Sequence, residues 1–264
     1  MVLKDEQIKE FQDKGFIVLK GFFDTAVMDK VSAFLDDLRD KSSAETPSPD
    51  VEVKYFEKSP TTGEKILVRV ENMFGDNNPE LTRLLISPEA TDCLEDLFGE
   101  PPLLFKDKAN YKLPGYRPDK LHQDQAAGWN TYCDFFITLG IVVDANRKAN
   151  GAISFLKSGN YDKELMGEEW QPLREDGPPY SPRDEYMLLE ADPGDVIFST
   201  PMSRTARRPT TAIPGGAIFI SPSTGSLMAI CGPAITRTNG GIMPLIRPKT
   251  RERMIASASD AVFP

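Results

Sequence analysis

Apolar residues recur along the first hundred positions with two different periods. Ile8 and Phe11 lie three apart behind Asp5, which can cap a short helix, and Gly15 stops that helix before the unbroken strand-like run Phe16 to Leu19. Asp24 then heads a longer helical pattern through Val27, Val31, Phe34, Leu35 and Leu38. Residues 41–63 are rich in Ser, Thr, Pro and Lys without periodicity and read as a surface insertion, a loop or a lid. Strand character returns at Ile66 to Val70, and two more helices are predicted over Asn78 to Leu85 and Pro88 to Phe98.

Beyond Pro102 the pattern changes to short β-rich runs: Leu103 to Phe105, Asp134 to Val143, Ala152 to Leu156, Tyr186 to Leu189, Val196 to Ser199 and Ala217 to Ile220. Gly, Pro, Asn and Asp separate them, and no helix alternates with them, so the prediction is sheet without βαβ crossovers. A mainly β chain with flanking helices follows, a jelly-roll core carrying helices on one sheet. One domain over 1–264 is expected, with a helical front part at 1–100 and the jelly-roll core with a C-terminal segment at 101–264. The acidic, Pro-containing stretch Met166 to Arg183 is a second candidate lid.

Composition narrows the partners. With 40% hydrophobic and 27% charged residues the chain has globular proportions. A formal net charge of -9 opposes a phosphate backbone, so nucleic acid is not expected; the basic stretches Arg204 to Arg208 and Arg247 to Arg253 read as solvated faces. Cys93, Cys133 and Cys231 form no C-x-x-C pair, which argues against a disulfide framework and fits a reducing compartment. The start MVLKDEQIKEFQDKG is charged and amphipathic, no run approaches a membrane span, and the cytoplasm is the expected location.

The chemistry concentrates at L-H-Q-D-Q, Leu121 to Gln125. On an extended strand His122 and Asp124, two apart, would point to the same side and could converge on one ion. A third donor would have to come from elsewhere, and Cys133, Glu169 and Asp195 are the alternatives. His122 is the single histidine of the chain, so no register supplies a second imidazole.

Five blocks, F-Q-D-K-G-F-I-V-L-K-G-F-F, K-D-K-A-N-Y-K-L-P-G, L-H-Q-D-Q, N-G-A-I-S-F-L-K-S-G-N and P-G-D-V-I-F, stand in an order that resembles the phytanoyl-CoA dioxygenase family across nearly the whole chain. The resemblance implies a double-stranded β-helix of cupin type and a chemistry in which Fe(II) and 2-oxoglutarate activate oxygen. It implies that His122 and Asp124 are remnants of an iron site whose distal histidine is here Thr205, a poor Fe(II) ligand. It also puts Gly216, or Gly215, where relatives carry the arginine that clamps 2-oxoglutarate, and it aligns Lys112 and Gln125 with positions near the cosubstrate. No stably bound cofactor is therefore expected in this chain. The pattern is similar to a degenerate, non-catalytic member of a heterodimeric natural-product (meroterpenoid) tailoring oxygenase, with an active homologous dioxygenase subunit as partner and holder of the iron and 2-oxoglutarate.

Two other functions remain open on the residues. One is an oxygenase or isomerase with an atypical site built on His122 and Asp124, and the other is a small-molecule binding protein. The stretch Gly225 to Ile246 holds Leu227, Ile230, Ile242 and Leu245, more apolar residues than a connecting loop needs. It is either a partner interface or a closure of the chain's own core.

Overall fold

The computed structural model describes residues 2–42, 52–59, 62–76, 78–112, 122–127, 135–156, 186–203, 205–207, 217–219 and 228–231, the last two stretches and 206–207 by backbone alone. All of them belong to the compact unit Met1–Pro233.

The front helices form where the apolar periods place them. α1 (Asp5–Lys14) starts one residue earlier than the Asp5 cap predicts: Lys4 is the cap residue, and its N–H donates to the Gln7 side chain at 2.9 Å. Asp5 instead occupies the first turn, where exposed amides favour a carboxylate. Gly15, with φ 79°, ends the helix in the left-handed conformation and hands the chain to β1 (Phe16–Leu19). Asp24 caps α2 (Thr25–Asp40), its carboxylate accepting from Ala26 N–H at 2.7 Å. α3 (Pro79–Leu85) and α4 (Pro88–Phe98) follow, both with proline in the first turn.

β2 (Val53–Lys58) and β3 (Lys65–Glu71) pair antiparallel, so the predicted insertion over 41–63 contains a regular strand. Its polar outer residues hid the alternation, because an edge strand needs apolar residues on one side only. β4 (Leu103–Lys106), β5 (Lys108–Lys112), β6 (Phe136–Ile141), β7 (Ile153–Leu156), β8 (Tyr186–Leu188), β9 (Val196–Ser199), β10 (Thr205–Arg207), β11 (Ala217–Phe219) and β12 (Met228–Cys231) complete the described strands. They form three sheets in the orders β1-β9-β6-β12-β4, β10-β7-β8 and β11-β5-β3-β2, all antiparallel. This is the jelly roll expected from the pattern, the double-stranded β-helix that the resemblance implied.

Strand alternation sorts the side chains into two apolar clusters. Ile137, Leu139 and Ile141 of β6, Val196 and Phe198 of β9, and Ala109 and Tyr111 of β5 pack with Phe11, Met28, Val31 and Leu35 of the helices. The opposite faces of β1 and β9 meet β7: Phe16 stacks on Phe155 at 4.3 Å between ring centroids, with Ile153 and Ile197 beside them. A register shift in β3 resets the alternation. Tyr55 pairs with Arg69 and Phe56 with Leu67, leaving Val68 bulged. Leu67 and Val70 can then both join the helix-side core while Arg69 and Glu71 turn to the other face.

β12 lies between β6 and β4, bonded on both sides. The backbone of Ile230 is thus paired within the chain's own sheet. Leu227, Ile242 and Leu245 lie outside the described residues, as do Met166 to Arg183.

The P-G-D turn ties front and core together. The buried Asp195 accepts from Gly21 N–H at 2.8 Å and Asp192 N–H at 2.7 Å, and Lys20 Nζ lies 2.7 Å away. Burial would raise this carboxyl, yet Lys20 and the two amides hold it below the ordinary carboxylate range. Gly194 sits at φ 91°, and a Cβ there would stand 2.1 Å from the Phe23 carbonyl oxygen. Gly194→Ala is expected to destabilise the protein by about 3 kcal/mol or more, since backbone must move as well as strain. Gly99→Ala, at φ 78° with nothing within 4 Å, should cost only about 1–2 kcal/mol. Urea midpoints of the two variants check the contrast, and equal losses would refute it.

Candidate functional site

The site is assembled by a turn. Thr200 N–H donates to Gly15 carbonyl at 2.8 Å, and Ser203 Oγ donates to the same carbonyl at 2.8 Å, so the chain after β9 is anchored to the end of α1. That turn in turn holds the L-H-Q-D-Q segment: Gln125 N–H donates to Pro201 carbonyl at 2.9 Å, and Gln123 Nε2 to Met202 carbonyl at 2.9 Å. His122 and Thr205 exchange both backbone hydrogen bonds at 2.9 Å, an isolated antiparallel bridge.

Directly paired residues project to the same face, so Thr205 stands beside His122. Thr205 is buried, and its hydroxyl oxygen has no hydrogen-bond partner. His122 Nε2 lies 3.7 Å from Asp124 Oδ1, and Thr138 Oγ1 of β6 donates to Asp124 Oδ2 at 3.3 Å. His122 lies in the bridge, and Asp124 opens a 3-10 turn, Asp124–Ala127, directly after it.

The gathered donors are thus one imidazole, one carboxylate and one hydroxyl. A two-histidine, one-carboxylate iron centre does not fit this set, because the hydroxyl is a weak ligand for Fe(II) at neutral pH. Asp195 cannot supply the missing donor, since its carboxylate is engaged in the turn described above. Cys133, Glu169 and Gly216 lie outside the described residues. Among the described residues no group of three or more His, Cys, Asp and Glu is placed to hold a metal ion.

Gln125 and Lys112 are both buried. Gln125 Oε1 has no hydrogen-bond partner, and Lys112 ends β5 on the same face as Lys108 and Asn110. Sequence reasoning missed the neighbours of this pair. Lys108, Asn110, Arg69 and Glu71 share one face by register, Arg69 facing Asn110 and Glu71 facing Lys108 across the β3–β5 ladder. Lys106 Nζ reaches Glu71 Oε1 at 2.8 Å, Arg69 Nε lies 3.1 Å from the same oxygen, and Tyr55 donates to Glu71 Oε2 at 3.1 Å. The alternation Lys-x-Asn-x-Lys was the available signal, but charged alternate positions ordinarily mark a solvated face.

Burial and charge shape this floor. Burial pushes the Lys108 ammonium down to about 8, with Asp124 opposing and Lys106 and Arg69 adding to the drop. Burial also lowers Lys106, against the pull of Glu71. Burial alone would raise the Glu71 carboxyl, but Lys106 and Arg69 hold it below the usual carboxylate range.

Residues 11–203 match the family described as Phytanoyl-CoA dioxygenase (PhyH). The chain is 30% identical over 217 residues to the 2-aminoethylphosphonate dioxygenase of Uncultured bacterium HF130_AEPn_1, covering 82% of this chain and 80% of that protein. It is 34% identical over 161 residues to the probable alpha-ketoglutarate-dependent hypophosphite dioxygenase of Stutzerimonas stutzeri, covering 60% of this chain and 54% of that one. The crystal structure of EctD from S. alaskensis in its apoform superposes with a TM-score of 0.67 at 17% identity, over 91% of this chain and 88% of the other, a likeness of fold.

The depressed Lys108 pKa has a consequence for stability. Between about 8 and the ordinary value of 10.5 the unfolded chain holds this proton and the folded chain does not, so stability rises with pH across that window. Tyr55, raised to about 12 chiefly by burial, acts in the opposite sense only above its ordinary value of 10.0. From pH 8 to pH 9.5 the Lys108 contribution should amount to about 2 kcal/mol. Because the buried Cys93 thiol, raised to about 11, acts in the opposite sense above pH 9, the difference between proteins is the measure: urea unfolding at the two pH values should show a gain larger by that amount in the wild type than in Lys108→Met, and equal gains would refute the assignment.

Proposed function

The chain belongs to the phytanoyl-CoA dioxygenase (PhyH) family, and we propose that it works there as a catalytically incomplete member that supports an active homologous Fe(II)/2-oxoglutarate oxygenase subunit. One observation supports this reading: the only histidine of the chain, His122, is bridged to the buried Thr205, the residue that motif order aligns with a second imidazole. On this reading the frame that positions these residues is kept while one ligand is lost. A fold kept with its chemistry lost is a fold kept for binding.

The relatives named above are dioxygenases, and the partner would be such a homologue, one carrying both histidines. A subunit that binds only the competent conformation of its partner raises that conformation's population without lending a catalytic group. Its working place would be the cytoplasm, with oxidative tailoring of a small natural product as the shared task; no helix of the described residues is long and apolar enough to cross a membrane.

The purified chain alone should convert no 2-oxoglutarate to succinate. Co-expressed with a two-histidine homologue from its own source it should form a mixed complex whose turnover falls when this chain is withheld. Native mass determination with succinate release checks both, and turnover by the isolated chain would overturn the proposal. Because the His122 bridge is made by backbone, His122→Ala should cost about 1 kcal/mol or less in a urea titration and leave the partner's turnover intact.

A further inference from the structure

A cation of the chain itself stands close to the His122–Asp124 pair. Lys108, 6% exposed, opens β5. It cannot turn to the helix side, because Ala109 and Tyr111 occupy that side and the Tyr111 hydroxyl is set on the Leu35 carbonyl at 2.8 Å. The ammonium is therefore held in the interior, where a charge needs a counter-charge.

Two carboxylates act on it. Glu71 faces Lys108 across the β3–β5 ladder, but Lys106 Nζ at 2.8 Å and Arg69 Nε at 3.1 Å share one of its oxygens, and Tyr55 donates to the other at 3.1 Å. Asp124 is the second. Burial pushes the Lys108 ammonium down to about 8, and among the charges that oppose this drop Asp124 stands before Glu71. The Asp124 carboxylate also accepts from Thr138 Oγ1 at 3.3 Å and lies 3.7 Å from His122 Nε2. The carboxylate beside the single histidine is thus already answered by a positive charge of the chain.

The local balance leaves no room for a further cation. Among the described residues three cations, Arg69, Lys106 and Lys108, meet two anions, Glu71 and Asp124, while the Asp107 carboxylate accepts from the Met73 and Phe74 amides and serves that turn. A divalent ion at Asp124 would add two more positive charges where screening is poor, and the neutral Thr205 offers nothing to offset them. We infer that Lys108 is the resident cation of this site, its ammonium answering Asp124 in place of a metal and keeping divalent cations out. The inference rests on the reading that the iron site is incomplete, and it adds a second cause. A missing imidazole weakens a metal site, whereas a tethered ammonium opposes the metal directly. The frame then needs no metal for its charge balance.

Cobalt(II), a stand-in for Fe(II) with a visible spectrum, tests this on the full chain at pH 7. Thr205→His supplies an imidazole, and Lys108→Met removes the ammonium. The double variant should bind cobalt about tenfold or more tightly than Thr205→His alone, read from the visible absorption and from the metal retained on dialysis. Equal affinity in the two, or no binding by either, would overturn the inference. A second measurement leaves position 205 untouched and decides the matter if Thr205→His does not fold. In a urea double-mutant cycle Asp124→Asn should lower the midpoint in the wild type, and lower it less or raise it in Lys108→Met. Effects that simply add would also overturn the inference, and Lys108→Gln serves both measurements if Lys108→Met does not fold. Failure to form a mixed complex would sink the supporting role alone, since neither measurement involves a partner.

Discussion

Everything about the site follows from β5 being buried on both faces. All five residues from Lys108 to Lys112 are withdrawn from solvent. The alternation of a strand leaves no choice about which go where: Ala109 and Tyr111 face the helices, and Tyr111 sets its hydroxyl on the Leu35 carbonyl at 2.8 Å. Lys108, Asn110 and Lys112 are thereby forced inward. Interior charge must be answered by interior charge, and Glu71 and Asp124 stand close enough to act on Lys108 because the ladder register and the L-H-Q-D-Q turn bring them there.

The bulge in β3 completes the arrangement. Without the extra residue at Val68, Leu67 and Arg69 would share a face, and either an apolar contact with the helices or the pairing of Arg69 with Glu71 would be lost. The inner floor thus rests on a local irregularity, while the outer core of Leu67, Val70, Met28 and Leu35 supplies the burial that holds it in place.

The His122–Thr205 bridge shows what holds the L-H-Q-D-Q segment in place. The bridge is made by backbone groups, and the turn that carries it is fastened through Gly15, Thr200 and Ser203. None of these contacts asks for an imidazole at position 205. A threonine is accepted there with its hydroxyl buried and unpartnered, a cost that leaves the sheet intact.

The sequence by itself determined the front helices, the stop at Gly15, most of the jelly-roll strands and the absence of a second histidine, because helical period, capping chemistry and composition are local properties. It pointed to His122, Asp124 and Thr205 as neighbours through motif order. It did not show that a 3-10 turn begins at Asp124, directly after the bridged His122. β2 and β5 escaped it because polar alternation looks alike on a solvated edge and in a closed interior, while β10 and β12 are only three and four residues long and are defined by distant pairing partners. Only the tertiary structure decided that Lys106, Lys108, Arg69 and Glu71 meet, because their convergence depends on ladder register and a one-residue bulge, quantities that no single stretch of sequence encodes.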